Sequence, residues 1–255
     1  MTDIITIKDV IAINPYGKMF TFDWNVKVHP GQFIMVWAPG MDEIPLSLSS
    51  TGTEKSIAFK IIGDDTKKLS EMKKGDKLRI RGPYGNGYTL DKKKKILVVG
   101  GGIGIAPLLS VIKTISVDAV FAARDKQEVE YSVPLAKEYC NEHWIATDDG
   151  SLGFHGNAVD LVKDVMKDHK YDMIIACGPE VMLYFLHRYC TEANIDCQMS
   201  LERYMKCGCG ICGACMIDDQ RVCADGPIFT GEQISNMNDF GHYNRNACGS
   251  LIKFR

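Results

Sequence analysis

Residues 96–107 read ILVVGGGIGIAP: an apolar run, Ile96–Val99, that passes into Gly100, Gly101, Gly102 and Gly104 and then into Ala106 and Pro107. A short continuous apolar run bounded by glycines is the pattern of a strand buried on both faces. Proline fits the first turn of a helix. Glycines between such a strand and a helix let the backbone close on a pyrophosphate held at the helix N-terminus. A tight strand-to-helix turn with no ligand gives the same pattern, so the loop alone leaves both readings open.

The rhythm continues downstream. Strand-like runs at Val117–Ala122, Trp144–Thr147 and Met173–Ala176 alternate with helix-like stretches at Ala106–Ile115, Pro134–Cys140, Val159–Lys167 and Glu180–Ala193. Alternating strands and helices predict a doubly wound parallel α/β domain over residues 94–199. The strand at 173–176 ends in Cys177-Gly178-Pro179 with a helix behind it, which puts this second loop at the same carboxyl edge of the sheet.

Upstream, residues 1–93 read as all-β. Short runs such as Ile4–Ile7, Phe33–Trp37, Ile57–Ile62 and Lys77–Arg81 are punctuated by Asn14-Pro15, Pro30-Gly31 and Pro39-Gly40, which predicts a small barrel. The charge run Lys92–Lys95 reads as a solvated linker. Residues 200–255 form a third, small domain, rich in Cys, Gly and Asp and poor in apolar periodicity; a region of that kind needs a staple.

The staple is visible in the spacing Cys207-x4-Cys212-x2-Cys215-x7-Cys223. C-x4-C-x2-C followed by a more distant Cys is the plant-type [2Fe–2S] spacing. Zinc also takes four thiolates, but its sites usually pair two separated knuckles. A set shifted to Cys209 resembles the start of a [4Fe–4S] run, although its fourth ligand comes too late and precedes Ala224 instead of proline. Thiols with no metal complete the alternatives. Ten cysteines, none before Cys140, are too unevenly spread for a disulfide framework.

The net charge of −2 gives no electrostatic case for nucleic acid or an anionic membrane. No apolar run is long enough to span a bilayer and the N-terminus carries no secretory pattern, which points to the cytoplasm. The six histidines form no convincing catalytic pair, and no nucleophilic triad or carboxylate pair stands out, so no catalytic side chain is expected.

A barrel, then GGGIGIAP, then CGP resembles the ferredoxin–NADP reductase superfamily. SLERYMKCGCGICGACMIDDQRVCADGPIF, with Gly82-Pro83-Tyr84-Gly85-Asn86-Gly87-Tyr88 and Thr147-Asp148-Asp149-Gly150-Ser151, narrows the resemblance, over nearly the whole length, to the electron-transfer subunits of two-component dihydroorotate dehydrogenases. The resemblance implies FAD on the barrel, contacted by Pro45, Leu46, Ser47, Phe59, Lys60 and Thr66, with Gly82, Pro83 and Gly85 in a matching motif. It implies NAD at Gly100, Gly101, Gly102, Gly104, Cys177, Gly178 and Pro179, and a [2Fe–2S] cluster on Cys207, Cys212, Cys215 and Cys223. Glu202 and Met205 belong to the motif that leads into the cluster loop.

It further implies an FMN-containing dihydroorotate dehydrogenase catalytic subunit as partner, in a heterotetramer, with electrons running from dihydroorotate through FMN, cluster and FAD to NAD+ in pyrimidine biosynthesis. Reductase subunits of sulfide dehydrogenase, sulfite reductase or hydrogenase complexes use the same modules, and a zinc-stapled binding module is the non-enzymatic alternative. Two positions depart from the superfamily. Ile44 stands where an arginine usually meets a flavin phosphate, and Asp65 puts a carboxylate near the phosphate path. Lys60, Lys67 or Arg81 is expected to compensate, and FMN in place of FAD stays open. Arg124 and Asp125, after the second strand, argue in opposite directions on NADP against NAD.

Overall fold

The computed structural model describes residues 2–130 and 132–254. The first seven strands are β1 (Thr2–Thr6), β2 (Asp9–Asn14), β3 (Gly17–Asp23), β4 (Phe33–Trp37), β5 (Ile44–Ser47), β6 (Glu54–Lys60) and β7 (Lys77–Tyr84), with helix α1 (Asp64–Glu71) before β7. They form two antiparallel sheets, ordered β1-β7-β4-β5 and β2-β3-β6, which meet at a single bridge between Leu48 and Ile57. The period of two along β7 explains the packing. Leu78 and Ile80 point into a core shared with Ile5, Phe20, Phe22, Ile34 and Ile57, while Lys77 and Arg79 face outward.

The central sheet begins with β8 (Ile96–Gly101), every residue of which is buried. Chain order continues through α2 (Ile105–Ile112), β9 (Asp118–Ala123), α3 (Lys126–Val129), α4 (Pro134–Lys137), β10 (His143–Thr147), β11 (Phe154–His155), α5 (Ala158–Asp168), β12 (Met173–Cys177), α6 (Glu180–Ala193) and β13 (Asp196–Ser200). With a later strand, β16 (Ile228–Thr230), its order is β11-β10-β9-β8-β12-β13-β16, parallel throughout except where β16 runs antiparallel to β13. The direction of winding reverses between β8 and β12. The crevice beyond the carboxyl ends of those two strands is where open α/β sheets bind ligands.

The remaining elements are β14 (Met216–Ile217), β15 (Gln220–Arg221), β16 (Ile228–Thr230), α7 (Gly231–Ser235), β17 (Tyr243–Arg245) and β18 (Leu251–Lys253). This segment contributes β16 to the edge of the central sheet. Its Met205, Cys215, Ile217, Val222, Phe229 and Phe240 pack in one core with Leu97, Val99, Leu183 and Met199 of the sheet domain and with Phe33 and Met35 of the first sheet. Ile228 is buried in a second core, shared with Tyr88, Ile105 and Cys177, and lies against Gly31, so it packs inside the chain. Among the described residues no helix is long and apolar enough to cross a membrane.

A cleft of two adjoining cavities and a cysteine loop

The carboxyl ends of β8 and β12 are in register, Cys177 opposite Gly100, so the two glycine-bearing loops lie side by side. Their closeness dictates the residue type at Gly104. A Cβ there would stand 2.4 Å from the Cys177 carbonyl oxygen, closer than any side chain tolerates. Above these loops opens a cavity of about 860 Å³, lined by Gly101, Gly102, Ile103 and Gly104 on one side and Gly178, Pro179, Met182 and Phe185 on another. Arg124, Lys163 and Phe254 also reach it.

A second cavity of about 310 Å³ lies between the first sheet and the glycine loop. Pro45, Leu46, Ser47, Phe59, Lys60 and Thr66 line it, together with Ile103, Pro107 and Met205. The two cavities share Lys60, Ile103, Gly104, Leu201 and Glu202.

Charge in this cleft is arranged across the two halves. Lys60 Nζ, on β6, lies 2.7 Å from Glu128 Oε1 on α3. Burial opposes ionisation of Glu128, but Lys60 and the Arg124 backbone N–H outweigh it and hold the carboxyl below its ordinary value. Asp65 turns away from the cleft and accepts the Asp42 N–H at 2.9 Å, so the repulsion expected from it is absent. Asp125 caps α3 by accepting the Glu128 N–H at 3.0 Å, which leaves Arg124 as the member of that pair lining the larger cavity. Cys177 is buried beneath the loops, and burial, with Glu202 nearby, pushes its thiol up to about 12.

Four cysteines fold back on one another beside the smaller cavity. The Gly210 N–H donates to Cys223 Sγ at 3.1 Å, which brings the two ends of the loop together. Ile211 and Cys212 N–H groups donate to Cys207 Sγ at 3.4 and 3.5 Å, and the Cys223 N–H donates to Cys215 Sγ at 3.4 Å. Backbone donors aimed at sulfur favour thiolates. Burial raises the Cys207 thiol, but the N–H groups of Cys209, Cys212 and Ile211 prevail and bring it to about 6. Both Cys212 and Cys209 stand within hydrogen-bonding reach of Cys207, and Cys215 within reach of Cys223. Among the described residues no three His, Cys, Asp or Glu side chains surround one point as ligands of a single ion.

Gly210 makes the loop possible, with φ of +82° and room for a Cβ only 2.8 Å from that of Ala224. Cys215 and Cys223 are buried, while Cys212 and Cys209 are exposed.

Two guanidinium groups hold this loop, and neither was expected to. Arg81 takes Glu43 in a bidentate pair, Nε to Oε1 at 2.8 Å and Nη2 to Oε2 at 2.5 Å, and donates to the Cys207 carbonyl at 3.0 Å. It is thereby committed to the loop and is not the phosphate-compensating cation. Arg221 is paired with Asp225 and donates to the Gly210 carbonyl at 3.1 Å.

Of the residues singled out from sequence, Pro45, Leu46, Ser47, Phe59 and Lys60 on the first sheets and Thr66 on α1 lie in the smaller cavity, and Gly101, Gly102, Gly104, Gly178 and Pro179 in the larger. Gly100 and Cys177 form the floor between them. Gly82, Pro83 and Gly85 line neither. They carry the end of β7 to the cysteine segment, where the Asn86 N–H donates to the Gly226 carbonyl at 2.6 Å and Gln32 Nε2 to the Gly85 carbonyl at 2.9 Å. Glu128, Leu201, Arg203 and Phe254 belong to the cleft without having been foreseen.

The family model for the iron-sulfur cluster binding domain of dihydroorotate dehydrogenase B matches residues 202–235. A probable dihydroorotate dehydrogenase B (NAD(+)) electron transfer subunit of Methanocaldococcus jannaschii is 41% identical over 258 residues, covering 98% of this chain and 98% of that one. The protein of the same description from Thermoplasma acidophilum is 42% identical over 237 residues, covering 93% of this chain and 92% of its own length. Among solved structures, a chain of the NADH-dependent reduced ferredoxin-NADP oxidoreductase superposes with a TM-score of 0.77 at 26% identity, covering 89% of this chain and 88% of that one. With this identity over nearly its full length, the chain belongs to the family of dihydroorotate dehydrogenase B electron transfer subunits.

Proposed function

We propose that this chain passes electrons from a dihydroorotate-oxidising partner to NAD+, through a [2Fe–2S] cluster on Cys207, Cys212, Cys215 and Cys223 and an FAD in the smaller cavity. The observation that carries the reading is continuity. Met205 lines the smaller cavity and Cys207, the first cysteine of the loop, follows two residues later, a span of at most about 7 Å. The smaller cavity in turn shares a wall with the larger one. Three neighbouring sites make a short path. Residues 1–93, 94–199 and 200–255 then serve flavin, nucleotide and cluster respectively.

A bound flavin supplies the exchange between single electrons and hydride, which neither cluster nor nicotinamide performs alone. The chain's part is to hold and to insulate. Gly101–Gly104, at the start of α2, present backbone N–H groups to a pyrophosphate. Pro45, Leu46 and Phe59 give the smaller cavity an apolar wall, and Lys60 adds the one cation shared by both cavities. Backbone donors point at the sulfurs of Cys207, Cys215 and Cys223, the atoms that would bind iron.

The partner is an FMN-containing dihydroorotate dehydrogenase catalytic subunit, assembled with this chain as a heterotetramer in the cytoplasm. Ile211, 85% exposed on the cysteine loop beside exposed Cys212, offers an apolar contact for it at the point where electrons enter.

Protein purified without oxygen tests the reading. It should carry flavin and about two iron atoms per chain, and both chromophores should bleach with NADH. Cys215→Ser should lose the iron while flavin stays bound. Zinc in place of iron, in a colourless protein, would overturn the assignment.

A further inference from the structure

Hydride passes only between rings in contact, with the reacting atoms about 3–3.5 Å apart. If the smaller cavity takes the flavin and the larger one the dinucleotide, as proposed above, the nicotinamide ring must meet the flavin at their common wall. That wall carries two charged side chains, Lys60 and Glu202. Lys60 is neutralised by Glu128 at 2.7 Å.

Glu202 has no hydrogen-bond or ion-pair partner for its carboxylate among the described residues. Its sequence neighbour Arg203 is spent on Glu180 and on the carbonyls of Glu202 and Tyr243. The side chain of Glu202 opens into the cleft, yet the protein around it is dense enough that burial, reinforced by Glu180, raises its carboxyl from the ordinary value. The Cys177 thiol also lies near Glu202, neutral in its buried position.

We propose that Glu202 is a specificity-determining residue that makes the site prefer the oxidised nicotinamide ring to the reduced one. NAD+ carries a full positive charge on that ring and NADH carries none, while the two pyrophosphates are alike. An unpaired carboxylate at the wall where the ring must sit attracts the first and is indifferent to the second. At about 6 Å, in a site half open to water, that attraction is worth roughly tenfold in affinity. Substrate is thus held more tightly than product in the direction of NAD+ reduction.

The test is calorimetric titration of the holoprotein at pH 8. NAD+ is added to oxidised protein, NADH to dithionite-reduced protein so that no hydride moves, and ADP-ribose to both. In Glu202→Gln the affinity for NAD+ should fall about tenfold, while NADH and ADP-ribose change less than twofold. Glu202→Asp, which keeps the charge, should retain most of the preference. An equal loss for all three ligands would mean a structural role and overturn the proposal, as would no change for any. Wild-type protein that bound none of the three would instead overturn the assignment of the larger cavity to the dinucleotide.

Discussion

Glu180 and Arg203 form the most deeply buried ion pair among the described residues, with side chains 10% and 2% exposed. Glu180 opens α6, directly after the Cys177-Gly178-Pro179 loop, and Arg203 lies on the stretch that leads to the cysteines. Glu180 Oε1 takes both Arg203 Nη2 at 3.0 Å and the Gly241 N–H at 2.8 Å, so one carboxylate ties the helix, the cysteine segment and the C-terminal strands together. Glu180→Gln removes the charge while keeping the shape, and leaves a guanidinium buried without its counter-ion. Breaking a buried pair from one side costs about 3–5 kcal/mol. In a chain of this size each kcal/mol moves the melting temperature by roughly 2–4 °C, so the variant should melt about 6–20 °C lower.

Replacing both residues tells pairing apart from packing. Buried ion pairs contribute little over apolar residues of similar volume, so Glu180→Met with Arg203→Met together should lie within about 2 kcal/mol of the wild type. Urea denaturation followed by far-ultraviolet circular dichroism on protein with its cofactors measures both. If the single substitution costs under about 1 kcal/mol, or the double one costs as much as the sum of the singles, the reasoning fails, because the charge is then reached by water or serves only as packing.

Gly104→Ala should abolish NAD binding and lower stability by at least about 1–3 kcal/mol, since the new methyl meets the Cys177 backbone at 2.4 Å and backbone cannot step aside; an unaltered NAD titration would refute this. Glu128, held below its ordinary value chiefly by Lys60 against the opposing effect of burial, should add about 1 kcal/mol to stability over Glu128→Gln at neutral pH. Because the folded state lowers this carboxyl, the difference is fully present above the unfolded value of about 4.3 and disappears as the pH falls through the lower folded value. A difference that grew on acidification would refute the pairing.

How much of this could be read from the residues depends on how local each determinant is. Strands β8 and β12 are continuous apolar runs, and their loops announce themselves through glycine and proline, so the shared carboxyl edge of the sheet is legible in the sequence, while the strand order that makes it a switch point is not. Strand β13 was not, because Asp196, Cys197 and Gln198 give it no apolar signature; Gln198 is buried by bonding the backbone of Thr89 through both ends of its amide. Helix α1 has Leu69 as its single buried residue among charged neighbours, so no helical period exists to be found. The cysteine spacing is equally local. The pairs that position it are not: Arg81 meets the Cys207 carbonyl across 126 residues and Lys60 meets Glu128 across 68, separations at which only the folded chain says who is adjacent.

The cysteine segment could not stand alone, and that dependence has a functional consequence. Its own apolar residues are few, and the ones it has are completed by Leu97, Val99 and Met199 from the central sheet and by Phe33 and Met35 from the first. A cluster on a tethered domain would sample many distances from its redox partner. Here β16 is hydrogen-bonded to β13, Arg81 reaches from β7 to the Cys207 carbonyl, and Asn86 grips the Gly226 and Asp225 carbonyls on the far side of the loop. The loop is fixed from three directions by the same two units that form the smaller cavity. The separation between the proposed cluster and flavin sites is therefore set by the packing of a shared core and cannot drift without unfolding part of it, which is the condition an electron path of fixed length requires.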